Sequence, residues 1–155
     1  MTASRPTIPD WRDWREGRRF DPAARWRDWF DLIAGTTARG VRARRARIVS
    51  EPVTEYIRYE YDVTASLNLA AGEQVRWLPR QRASDLLVPG SDFWVFDESE
   101  VVFNHFDGVG DWVCEDRRDD VAIARLCAGA FETVWERAIP HHDYQPTVRK
   151  SPHTR

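Results

Sequence analysis

Apolar positions along the chain change period several times, and each change marks an element. Trp26, Trp29, Phe30 and Ile33 recur at i, i+3, i+4 and i+7, the spacing of a helix that buries one stripe. Asp21 and Pro22 precede the stripe as N-cap and first-turn residue, and Gly40 marks its end. Asp10 is placed to cap a shorter helix carrying Trp11 and Trp14. The tetrapeptide Trp-Arg-Asp-Trp occurs at 11–14 and again at 26–29, and i, i+3 core spacing accounts for it without a duplicated unit. Val41 to Ser50 reads as a strand, and Ser50, Glu51 and Pro52 as a break.

The stretch from Val53 to Ala71 fits two periods. Ile57, Tyr59, Tyr61 and Val63 alternate with Arg58, Glu60 and Asp62 as in a strand, whereas Val53, Tyr56, Ile57 and Tyr61 suit a helix stopped by Gly72. Helix is favoured, because a strand would leave the following Ala, Leu and Asn run unexplained. Gln74 to Leu78 is a short strand closed by Pro79, and Ala83 to Leu87 is at most one helical turn. Phe93 to Phe96, Val101 to Phe106 and Trp112 to Cys114, joined by turns at Asp97 to Ser99 and Asp107 to Gly110, form a meander. Asp119 or Asp116 then caps a final helix whose Ile123, Cys127, Phe131, Val134, Trp135 and Ala138 make one stripe, ending before Pro140.

The expected fold is therefore α+β: a single mixed sheet with a C-terminal β-meander, two N-terminal helices and a long C-terminal helix. Residues 10–139 form the expected domain, with proline-bearing flexible tails at 1–9 and 140–155.

Composition narrows the class. A chain of 155 residues, 42% hydrophobic with eight Trp, is too apolar to stay disordered. It has no apolar run long enough to span a bilayer and no signal-peptide core, so a cytoplasmic protein is expected. Cys114 and Cys127 lack CxxC spacing and read as buried free thiols. Residues 1–50 carry 12 basic and 6 acidic groups, residues 51–100 carry 4 and 10. All basic residues but Lys150 are Arg, which reads as codon bias and weakens any inference from Arg alone.

The segments RIVSEPVTEYIRYEY, GEQVRWLPR and DFWVFDESEVVFNHFDG resemble a family of uncharacterised actinobacterial proteins, a domain of unknown function, over nearly the whole folded part. That resemblance brings no catalytic residues. It implies a regulatory partner, since members tend to be encoded near helix-turn-helix regulators. The order of elements also resembles one half of a phospholipase D-like domain. With Asp97 in that family's Asp position, Gly90 stands where its His nucleophile belongs and Asp92 where its Lys belongs. The fold is then shared and the phosphodiester chemistry is not.

Four constellations are chemically suggestive. His105 and Asp107 have the spacing of two facial-triad ligands, with His141, His142 or His153 as the third, but Asp107-Gly108 is an ordinary turn pair and no metal is expected. Arg39, Arg42, Arg44, Arg45 and Arg47 offer cations for phosphates, although no nucleic-acid-binding motif accompanies them. Glu55, Tyr56, Arg58, Tyr59 and Glu60 form a charged aromatic cluster suited to a ligand or partner, or merely to weak pairing on a helix face. Asp92, Trp94, Asp97, Asn104 and His105 cluster on the meander, where a cleft would make them a binding site.

No nucleophile elbow, phosphate loop or dinucleotide fingerprint is present, and no cofactor is expected. The leading expectation is a non-catalytic regulatory or adaptor domain that binds a protein partner. A small-molecule site or small enzyme centred on Trp94 and His105 is the alternative, and nucleic-acid binding through the Arg-rich strand is third.

Overall fold

The structure, a computed structural model, describes residues 8–148. In chain order the elements are α1 (Ile8–Arg15), α2 (Pro22–Arg25), α3 (Arg27–Ala38), β1 (Arg44–Val49), α4 (Glu55–Thr64), β2 (Gln74–Pro79), β3 (Asp92–Phe96), β4 (Glu100–Phe106), β5 (Trp112–Arg118), α5 (Val121–Arg137) and β6 (Ile139–Pro140). The α+β class is as expected. The strands sort into two three-stranded sheets, β1-β2-β6 and β3-β4-β5, in place of one mixed sheet. Contacts divide between two compact units, the described residues up to Arg82 together with those from Ala138, and Ala83–Arg137.

In the first unit β1 and β2 pair in parallel, Arg47 opposite Trp77, and β6 joins β2 antiparallel. Parallel neighbours need a crossover, and α4 supplies it. Thr54 caps α4 by accepting from the Ile57 amide at 3.2 Å, and the helix runs on into a π-helical turn over Ala65–Leu69. Gly72 follows in the left-handed region, at φ 90°, which favours glycine. Two apolar clusters flank this helix: Ile57 and Tyr61 pack on Val49, Val75, Trp77 and Tyr144, whereas Tyr59 and Val63 join Trp26 and Leu67.

Several N-terminal expectations shift. Asp21 caps α2 through its bond to the Ala23 amide, as the Asp-Pro pair predicts, but the expected long helix is interrupted at Trp26. Asp10 does not cap α1. It lies inside the first turn, buried, and accepts a hydrogen bond from Arg25 at 2.6 Å. Ile8 and Pro9, expected in a tail, already belong to α1.

The C-terminal stretch is also corrected. Residues 140–148 were expected to be flexible for their prolines, yet they pack into the first unit. Tyr144 is buried against Trp77, and the Val53 amide donates to the Thr147 carbonyl at 2.7 Å. Burial of a large aromatic outweighs the local turn composition. The other tail residues, 1–7 and 149–155, lie outside the described residues.

The second unit is the meander with α5. Asp97 and Glu98 both have positive φ, 50° and 54°, as a tight hairpin turn between twisted strands requires. β5 runs to Arg118, further than its apolar residues predict. Cys114 lies on this edge strand and is exposed, contrary to expectation, while Cys127 is buried. Asp120, not Asp119 or Asp116, caps α5, accepting from the Ala122 and Ile123 amides at 2.8 and 3.2 Å. α5 packs on β3 and β4 and buries Ala124 and Cys127. No described helix is long and apolar enough to cross a membrane.

Candidate functional site

Several charged residues of the first unit, the buried Glu73 among them, pair with one another. Arg45 Nε donates to Glu73 Oε1 at 2.6 Å, and Asn68 Nδ2 donates to Glu73 Oε2 at 2.6 Å. Arg47 Nη1 donates to Glu60 Oε2 at 2.7 Å and lies over Trp77. Burial pushes the Arg45 guanidinium below its ordinary value. Of the Arg-rich strand, then, Arg45 and Arg47 turn inward to carboxylates, while Arg42 is exposed and Arg44 half-buried. The four do not form one cationic surface, because Arg45 and Arg47 share one face of β1 and Arg44 points to the other.

The α4 cluster is likewise divided. Glu60 is held by Arg47, Arg58 pairs with Asp62 at 3.0 Å, and Tyr56 packs on the aromatic cluster around Tyr59. Beside them, Trp77 Nε1 donates to His141 Nδ1 at 3.0 Å, and Tyr61 stacks on the same imidazole. Tyr144 Oη donates to Glu51 Oε1 at 2.7 Å. His141, a candidate third ligand for iron, is therefore engaged inside the first unit. His142 sits beside Asp143, and His153 lies outside the described residues.

On the meander Asp92 faces Asn104 and Trp94 faces Val102 across the β3–β4 ladder. His105 lies opposite Cys114, on the other face of the sheet from its neighbour Asn104. There Ser91 Oγ approaches its Nδ1 at 3.4 Å. Asp107 is spent on the turn, with Oδ1 accepting from the Val109 and Asp111 amides at 3.0 and 2.9 Å, and Asp97 forms the opposite hairpin turn. Trp94 and His105 thus do not share a surface. Among the described residues no group of three His, Cys, Asp or Glu side chains could hold a metal ion.

The second unit also exposes apolar side chains. A groove of about 440 Å³ runs between the loop from Asp85 to Pro89 and the side of α5 bearing Arg125, Leu126, Gly129, Ala130 and Thr133. Leu87 is 94% exposed and Leu126 67%. The helical residues recur at i, i+1, i+4, i+5 and i+8, a second stripe beside the buried one. Gly129 and Ala130 carry no bulky side chain to fill it. At one rim Asp85 accepts from Arg137 Nη1 and Nη2 at 2.5 and 3.2 Å, and these bonds hold its carboxyl below the ordinary value. At the other rim Arg125 has no ion-pair partner among the described residues.

Sequence reasoning missed this groove. Its trace is the Leu86-Leu87-Val88 run in a segment otherwise punctuated as a loop, apolar where turn chemistry predicts polar residues. The sequence profile of a domain of unknown function (DUF6879) matches residues 4–146. No curated protein and no solved structure matches significantly.

Proposed function

Because the chain belongs to the family of that domain of unknown function, we propose from its surface that it is a non-catalytic regulatory or adaptor domain, and that it binds a protein partner through the groove on α5. The observation that carries this reading is the pair of exposed leucines, Leu87 and Leu126, flanking a concave apolar strip. Apolar side chains gathered around a concavity mark contact sites more often than scattered ones do. Covering each leucine gives a partner about 1.5–3 kcal/mol of apolar transfer before the costs of association. The polar groups of the first unit support the same reading, since Glu73, Glu60 and His141 are occupied in holding the fold.

The sequence resemblance to actinobacterial proteins makes a helix-turn-helix regulator in the cytoplasm the first partner to test. A photo-crosslinking amino acid at Leu126, with one at exposed Arg117 on β5 as control, tests the reading in the producing cells. The expected outcome is one identified protein captured from position 126 and not from 117, which then binds the purified chain and loses that binding on Leu126→Arg. Equal capture from both positions, or a partner indifferent to Leu126→Arg, overturns it. A metabolite, nucleotide or divalent metal that raises thermal stability would favour a small-molecule site instead.

A further inference from the structure

Resting on that reading, we infer that the segment seated in the groove is apolar with an Asp or Glu side chain at one end, paired with Arg125. Only two lining residues are charged, Asp85 and Arg125. Asp85 has its counter-ion, because both terminal nitrogens of Arg137 donate to it. Arg125 has none among the described residues. A partner that covers the groove takes the Arg125 guanidinium out of water, and an unpaired cation in an apolar contact is strongly disfavoured. The partner must therefore bring an anion there, and the planar guanidinium fork suits a carboxylate.

The same geometry gives the segment a direction. Arg125 and Thr133 are separated by eight residues of helix, about 12 Å at 1.5 Å per residue. Thr133 Oγ1 donates to the Gly129 carbonyl at 3.0 Å, so that end offers no spare proton. Between the ends stand Leu126, Gly129 and Ala130. A carboxylate belongs at the Arg125 end, and apolar side chains belong along the middle and toward Thr133.

The test uses the full chain and a displayed library of random short peptides, followed by synthetic copies of the enriched sequences read by fluorescence anisotropy. Enriched peptides are expected to combine apolar residues with an acidic residue at one end. Replacing that residue by its amide should weaken binding about tenfold or more, as losing one partner of an interfacial charge pair does. Arg125→Glu should select basic peptides instead, Arg125→Lys should keep part of the acidic preference, and Leu126→Arg should abolish enrichment. Circular dichroism of each variant confirms that these exposed substitutions leave the fold intact.

No acidic preference, amide peptides that bind as tightly, indifference to Arg125→Glu, or no enrichment that depends on Leu126 would each overturn the inference. Crosslinking from position 126 decides the docking reading separately. A captured partner whose binding ignores Arg125 sinks the carboxylate and leaves the groove.

Discussion

Trp77 Nε1 donates to His141 Nδ1 at 3.0 Å, and Trp77 is fully buried. The imidazole can accept this bond only while neutral, with its proton on Nε2. Burial lowers the His141 pKa from its ordinary 6.5, and the His142 and Arg47 charges add to the shift. Tyr61 and Tyr144 complete the ring of side chains around Trp77 and His141. A folded-state pKa below the unfolded one means that the unfolded chain binds the proton more readily. This contribution is full above 6.5 and is lost as pH falls through that value to the lower folded pKa. Urea midpoints measured between about pH 7.5 and 5.5 should fall with pH. His141→Leu should remove that part of the slope and cost about 1–3 kcal/mol at neutral pH, because Trp77 loses its acceptor. A His141→Leu variant with the wild-type slope would refute the assignment.

Glu73 is the hub of a second buried contact, between Arg45 and Asn68. Its side chain is 1% exposed and that of Arg45 24%. Removing one partner of such a pair strands the other, so Glu73→Gln should destabilise the protein by about 3–5 kcal/mol. The exposed Arg27–Asp31 pair on α3 is the contrast. Asp31→Asn should cost about 0.5 kcal/mol or less, because solvent and salt screen it. Denaturant titrations of both variants in one buffer check the ratio.

Gly72 combines a left-handed backbone with a close neighbour. A Cβ there would lie 2.6 Å from Thr37 Oγ1, which donates to the Ala71 carbonyl at 2.8 Å. Gly72→Ala should therefore cost about 1–3 kcal/mol. The two causes are separable: in a Thr37→Ala background the steric part shrinks while the backbone part remains. A double-mutant cycle by thermal denaturation should show a smaller penalty for Gly72→Ala when Thr37 is absent.

How far the sequence discloses the fold depends on how many faces of an element are buried. α4 reads as strand or helix because Ile57 and Tyr61 enter one apolar cluster and Tyr59 and Val63 the other. Two i, i+4 pairs offset by two residues reproduce a strand's alternation inside a helix. Where one face is buried, as on α5, the stripe predicts the helix almost to its ends, and only the choice of cap, Asp120 over Asp119, needs the backbone. Residues 140–148 are hidden for another reason. Tyr144 is one aromatic among turn-forming residues, and its burial against Trp77 is a contact across 67 positions that no local pattern carries. The proposed site fares similarly. His105 and Trp94 stand on neighbouring strands but on opposite sheet faces, whereas Leu87 and Leu126 come to line one groove only because a loop lies beside a helix.

A last prediction concerns what the exposed leucines do for folding. Leu87 at 94% exposure hardly leaves water when the chain folds, and Leu126 at 67% keeps most of its surface in it, so hydrophobic transfer gives them a small stabilising effect. Leu87→Ser and Leu126→Ser should each change unfolding stability by no more than about 0.5 kcal/mol. Val101, on β4 of the same unit, is fully buried, and Val101→Ala should cost about 1.5 kcal/mol or more for the methyl groups it removes. Partner capture from the groove should show the reverse ranking, lost with either serine variant and kept in Val101→Ala wherever that variant remains folded. If the serine variants lose as much stability as Val101→Ala, the leucines serve the fold, and the free side of α5 has another explanation.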